Sequence, residues 1–100
     1  MKDARRLGEL GSVGPAMLRD FERLGVRSVA QLARRNPERL YEELCRRTGQ
    51  SQDLCVLDTF RAAVAQARNP RLPAEQKNWW YWSRLRKARE SKRRPTRRRS

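Results

Sequence analysis

Apolar positions recur at three- and four-residue intervals along nearly the whole chain, and no stretch alternates in the period-two manner of a strand. The pattern predicts an all-α protein. Leu7 and Leu10 share one face of a short first helix that Asp3 would cap. After a turn at Gly11–Gly14, Pro15 suits a first helical position, and Met17, Leu18, Phe21 and Leu24 form the stripe of a second helix that Gly25 stops. Ser28 and Gln31 read as a capping box for a short third helix carrying Val29 and Leu32. Asn36-Pro37-Glu38 combines an N-cap, a proline at N1 and a first-turn acid. The fourth helix therefore begins there, buries Leu40, Tyr41, Leu44 and Cys45, and stops at Thr48-Gly49. Asp53 caps a fifth, with Leu54, Leu57, Phe60, Val64 and Ala67 inward, and Asn69-Pro70 ends it. A sixth starts at Pro73 and carries Trp79-Trp80-Tyr81-Trp82. The expected architecture is a compact five- to six-helix domain over residues 1–85, with a hint of internal symmetry between its halves.

Charge changes the picture more than composition does. The chain of 100 residues holds 25 Lys and Arg against 11 Asp and Glu, a net charge of +14. Such a field draws in polyanions, and DNA, RNA and anionic lipid are the usual candidates. Arg84 to Ser100 holds ten of these cations and one acid, Glu90. From about Lys87 there is almost nothing apolar to bury, so residues 86–100 read as a basic tail, disordered when free. Its Arg86, Lys87, Arg89, Lys92, Arg93, Arg94, Arg97, Arg98 and Arg99 could clamp phosphates electrostatically. No apolar run approaches the roughly 20 residues that span a membrane, and no signal-peptide pattern is present. Two cysteines in core-like surroundings favour a reducing compartment, so the expected address is the cytoplasm, and the nucleoid if DNA is bound.

The turn at Leu10-Gly11-Ser12-Val13-Gly14-Pro15 holds the most specific chemistry. Backbone N–H groups converging on a helix N-terminus bind phosphate without side chains, because the leading amides lack intrahelical partners and the dipole favours an anion. Glycine lets the backbone approach closely. Gly11 and Gly14 flank Ser12-Val13, and Val13 can plug the core between the flanking helices. The amides on offer are those of Val13, Gly14, Ala16 and Met17, with Arg19 one turn on and Arg23 beyond it as charged contacts. A bare Gly-x-x-Gly-Pro is more often a tight connection than a binding site. Its context here, from Leu7 through Leu24-Gly25-Val26, resembles the helix–hairpin–helix DNA-binding motif. Two departures stand out: Gly11-Ser12 replaces the motif's Pro-Gly, and the second turn, Thr48–Asp53, lacks a Gly-apolar-Gly signature and looks degenerate.

The resemblance extends over about Leu7 to Ser83. Leu24-Gly25-Val26-Arg27-Ser28-Val29, Leu40-Tyr41-Glu42-Glu43-Leu44-Cys45, Thr48-Gly49-Gln50, Asp53–Asp58 and Trp79-Trp80-x-Trp82 are similar to the bacterial pathogenicity locus helix–hairpin–helix family. That resemblance implies DNA binding by motif, with no established reaction. The basic tail lies outside it.

Other features have plainer readings. With no histidine and only Cys45 and Cys55, a zinc site would need carboxylates or a second chain, so no metal and no cofactor are expected. Glu43 with Arg47 and Asp58 with Arg61 are spaced as surface ion pairs. Nothing joins a nucleophile to a base and an orienting group, and no lysine lies between residues 3 and 76 to serve as a glycosylase-type nucleophile. A non-enzymatic protein is expected. Of the aromatic cluster, Trp79 and Trp82 are assigned to the core, leaving Trp80 and Tyr81 for base stacking. The expected function is sequence-independent DNA binding. The rivals are a protein-interaction module and single-strand or RNA binding through the aromatics.

Overall fold

A computed structural model describes residues 5–93, with side chains through Glu90. Among the described residues the fold is entirely helical. A 3₁₀ turn at Leu7–Glu9 leads into α1 (Pro15–Arg23), α2 (Val29–Ala33), α3 (Pro37–Thr48) and α4 (Leu54–Arg68). A second 3₁₀ turn, Ala74–Lys77, then opens α5 (Trp79–Arg93).

The local signals mostly decide the boundaries. Ser28 Oγ accepts from the Gln31 amide, Asn36 Oδ1 from that of Arg39, and Asp53 Oδ1 from that of Cys55. The reciprocal arm at α2 is shifted by one residue from an ideal capping box, since Gln31 Oε1 accepts from Arg27 N rather than from the cap. Helices α1 and α3 end alike. Gly25 (φ +77°) and Gly49 (φ +68°) turn left-handed, and Val26 N donates to Phe21 O as Gln50 N does to Cys45 O. These are paired Schellman ends, which glycine permits at no steric cost. The internal symmetry expected from sequence is thus visible in how the two halves terminate.

Helix α4 is the hub. It packs on α2, α3, α5 and the second 3₁₀ turn. Its buried set, including Leu57, Phe60, Ala62, Ala63, Val64 and Ala67, wraps most of the helix. Phe60 meets Phe21 of α1 with ring centroids 5.7 Å apart, joining the first half to the second.

Four expectations are corrected. The opening helix is only a three-residue 3₁₀ turn, because a single pair of leucines gives too little apolar face to offset nucleation; Asp3 lies outside the described residues. Leu18 and Leu54, expected inward, are exposed, since α1 and the start of α4 each bury one narrow face. The predicted sixth helix breaks at Asn78 into a 3₁₀ turn and α5. Finally, α5 runs on to Arg93, well past the expected end of the body. Residues 94–100, and with them Arg94, Arg97, Arg98 and Arg99, lie outside the described residues, as do the side chains of Lys92 and Arg93.

A buried ion pair anchors α5 beyond residue 85. Asp58 is fully buried on α4, and Arg86 forks onto it, Nε to Oδ1 at 3.1 Å and Nη2 to Oδ2 at 3.1 Å. This bond raises the Arg86 pKa above its ordinary value. Arg61 lies 3.9 Å from the same carboxylate and 2.7 Å from Glu38 of α3, while Arg86 also reaches Glu90 at 3.6 Å. The chain Glu38–Arg61–Asp58–Arg86–Glu90 ties α3, α4 and α5 together. Asp58 is therefore no surface partner of Arg61, and Arg86 belongs to the folded body rather than to a tail.

Candidate nucleic-acid interface

The 10–15 turn is built by three local constraints. Val13 N donates to Leu10 O at 3.2 Å, closing a four-residue turn whose third residue, Ser12, sits at φ +69°. A side chain in that region is strained by roughly 1–2 kcal/mol, which is why glycine is usual there. The Ser12 hydroxyl offsets the strain: it donates to Lys77 O at 3.2 Å and accepts from Trp79 N at 3.1 Å. It caps α5 from across the fold, so its oxygen is engaged inside the protein and does not stand in for a lost phosphate-binding amide.

Gly11 is also turned inward. Its N–H donates to Gln66 Oε1 at 2.8 Å and its carbonyl accepts from Gln66 Nε2 at 2.9 Å. A Cβ on Gly11 would lie 3.1 Å from both Cβ and O of Lys77. The glycine is needed for the close approach of the second 3₁₀ turn, and not for a ligand. Gln66, 2% exposed on α4, was missed by sequence reading; its signal is a lone amide among the apolar positions Ala63 to Ala67.

What remains open is the start of α1. Gly14 is its N-cap, in ordinary extended backbone (φ −103°), with no side-chain cap and no acid in the first turn. Among the described residues no partner engages the amides of Gly14, Ala16 or Met17. A Cβ on Gly14 would meet nothing within 4 Å. Of the four expected amides, that of Val13 is consumed by the turn and no partner engages the other three among the described residues, of which Gly14 and Ala16 are exposed. Arg19, exposed and without a hydrogen bond or ion pair among the described residues, lies one turn along. Arg23 stands about 12 Å from Pro15 at the far end of the helix, pairs with Asp20 at 3.6 Å, and lines a polar cleft with Arg47, Thr48, Gln50 and Gln52. It is not brought to the turn.

The second turn has the opposite electrostatics. The Asp53 carboxylate occupies the start of α4, and the Cys55 amide it accepts from holds its pKa below the usual carboxylate value. That helix end already carries its anion. Beside it the Tyr41 hydroxyl donates to Gln52 O, and Gln52 N to Cys45 Sγ at 3.4 Å. Cys45 and Cys55 are half-buried free thiols, and desolvation followed by the Asp53 hydrogen bond pushes Cys55 up.

The aromatic cluster divides differently from expectation. Trp79 and Trp80 are 40% and 41% exposed. Tyr81 is half-buried against the edge of Trp82, and the Trp82 indole donates to Gln76 O at 2.8 Å. The switch follows from the break at Asn78, which rotates the first turn of α5 relative to a continuous helix from Pro73. Of the expected tail cations, Lys87 and Arg89 are exposed on α5 and Arg86 is on Asp58. A basic group that the sequence reading passed over, Arg34, Arg39 and Arg46, lines one face of α3 from its start to its last turn, interleaved with Glu38, Glu42 and Glu43.

The sequence model of a family described as pathogenicity locus matches residues 1–88. The chain belongs to that family. The mitomycin resistance protein McrB of Streptomyces lavendulae is 42% identical to it over 85 residues, covering 85% of this chain and 77% of that protein. No solved structure matches the chain. The region matched to the pathogenicity locus family ends two residues past Arg86, so it takes in the α4–α5 clamp and leaves out most of the basic C-terminal segment. Among the described residues no helix is long and apolar enough to cross a membrane.

Proposed function

We propose that this pathogenicity locus protein binds DNA non-enzymatically and largely without regard to sequence, using the 10–15 turn as the phosphate contact of a helix–hairpin–helix motif. One observation carries the reading. Helices α2, α3 and α4 each have a side-chain cap at the N-terminus, whereas α1 starts on a bare glycine with no acid in its first turn and, among the described residues, three amides without a partner. A phosphate oxygen would complete that end, with Arg19 on a neighbouring phosphate. The net charge of +14 and the basic C-terminal segment would supply long-range attraction and most of the salt dependence. Cytoplasmic action at the nucleoid follows from the same reading.

Salt-dependent gel shifts on duplex test it, with the full chain and with a chain ending at Arg93, which keeps the Arg86 clamp. The full chain is expected to show the steeper dependence, and Gly14→Glu the weaker binding in both. Unchanged duplex affinity in Gly14→Glu of the shorter chain would sink the proposal. Similarity to a mitomycin resistance protein adds a cellular readout: expression of this chain is expected to raise survival under mitomycin, and Gly14→Glu to abolish the gain.

A further inference from the structure

The first turn of α5 presents two indoles that the fold only partly covers. Trp82 and Tyr81 are engaged by Gln76 and by each other, but no hydrogen bond reaches the indole N–H of Trp79 or Trp80 among the described residues. Two adjacent tryptophans at 40% and 41% exposure put aromatic surface in water at the start of α5. The patch is not purely apolar. The Arg84 guanidinium lies 4.6 Å from the Trp80 ring centroid, and its partner Glu75, at 3.7 Å, is as exposed as Arg84 itself. A flat π-face beside a cation, in a chain of net charge +14, suits a ligand that is both aromatic and anionic.

Position narrows the ligand further. Trp79 N donates to the Ser12 hydroxyl at 3.1 Å, so the first residue of α5 starts against the middle of the 10–15 turn. Ser12 is two residues from the open amide of Gly14. A single nucleotide joins the two chemistries these neighbours would take, a phosphate and a base. In the interior of a duplex every base is stacked and paired, so an indole can cover only an unpaired base or the face of a terminal pair.

We infer that Trp79, flanked by Trp80 and Arg84, stacks on an unpaired base of a DNA strand whose phosphate lies at the start of α1. The preferred ligand is then DNA with unpaired nucleotides adjoining a duplex. The inference rests on the phosphate reading proposed above, and the experiment separates the two. The full chain is titrated with a blunt duplex and with the same duplex bearing a short oligothymidine overhang, reading anisotropy and tryptophan emission. Wild type is expected to bind the overhang about tenfold more tightly, with quenched emission. Trp79→Ala is expected to lose that preference while matching wild type on the blunt duplex, and Trp79→Phe to regain part of it. Equal wild-type affinity for both ligands overturns the stacking and leaves the phosphate reading standing. Binding to neither overturns both. A Trp79→Ala variant that keeps the preference, or that loses blunt-duplex binding as well, overturns the platform. So does a blue-shifted emission on phosphatidylglycerol vesicles with no response to the overhang, which would assign the patch to lipid.

Discussion

Replacing Gly14 by aspartate should move stability and DNA binding in opposite directions. The N-cap has φ −103° and ψ −173°, which any L-residue adopts, and a Cβ there meets nothing within 4 Å. The new carboxylate can therefore accept from Ala16 N or Met17 N, the N2 and N3 amides that no group now engages. Aspartate over glycine at an N-cap is worth a few tenths of a kcal/mol, and a negative charge at the helix start adds about 0.3–1 kcal/mol. The sum is about 1 kcal/mol, a rise in Tm of roughly 4–8 °C for a domain of this size. The same carboxylate occupies the phosphate's donors. Charge-assisted hydrogen bonds contribute about 1.5–3 kcal/mol each, so losing even one costs roughly tenfold or more in affinity. Thermal melts by circular dichroism and duplex titrations of the chain ending at Arg93 measure both quantities. Gly14→Ala, which adds neither cap nor charge, should bind close to the parent. A Gly14→Asp variant that melts higher and binds duplex as tightly as the parent would refute the phosphate contact. One that melts no higher would refute the claim that the amides are open.

Arg86→Ala leaves the Asp58 carboxylate buried with only Arg61 at 3.9 Å, and should cost about 3–5 kcal/mol in urea unfolding, whereas Arg89→Ala on the same helix should stay within about 0.5 kcal/mol. Ser12→Ala keeps the strain at φ +69° and loses both hydroxyl bonds, so it should destabilise by about 2 kcal/mol; Ser12→Gly, which relieves the strain, should fall closer to the parent in the same unfolding assay. Asp53, whose folded pKa is lowered, stabilises above the ordinary carboxylate pKa and ceases to do so as pH falls through its folded value. The Tm gap between parent and Asp53→Ala should therefore be full at neutral pH and close as melts are taken below about pH 4. Removing residues 94–100 deletes four arginines, and should flatten the logarithmic salt dependence of duplex binding by up to about 3.6 if each contacts a phosphate.

The helix starts at Ser28, Asn36 and Asp53 and the stops at Gly25 and Gly49 were legible because each is decided by one residue's local chemistry. The roles of Gln66, Asp58 and Arg86 were not, since each depends on a partner between 11 and 55 residues away along the chain. Read one at a time, Asp58 and Arg61 have the spacing of an ordinary surface pair, and Arg86 has the company of a basic tail. Only the packing of α5 on α4 reveals that the acid is buried and which arginine answers it. The aromatic cluster failed for a related reason. Its periodicity presumes one helix from Pro73, and the break at Asn78 exchanges Trp79 for Tyr81 on the outer face.

The 10–15 turn shows how a motif can be right in position and different in mechanism. Two of its signature positions, Gly11 and Ser12, bind the turn to Gln66, Lys77 and Trp79 rather than facing outward. That anchoring has a consequence for the one position that does face outward. A loop held at both ends presents the Gly14, Ala16 and Met17 amides in a fixed arrangement, so a ligand there meets donors that need no ordering on binding. It also leaves a few tenths of a kcal/mol of cap stabilisation unmade at Gly14, where aspartate, serine or asparagine would fit without a clash. Such a departure from local preference has a physical explanation at a binding site, where an internal cap would compete with the ligand. At the second turn the competition is already decided: Asp53 fills the α4 start, and a phosphate there would meet a carboxylate. Helices α1 and α3 end alike, but the helix starts that follow the two turns differ, and the proposed DNA contact is accordingly placed at the first alone.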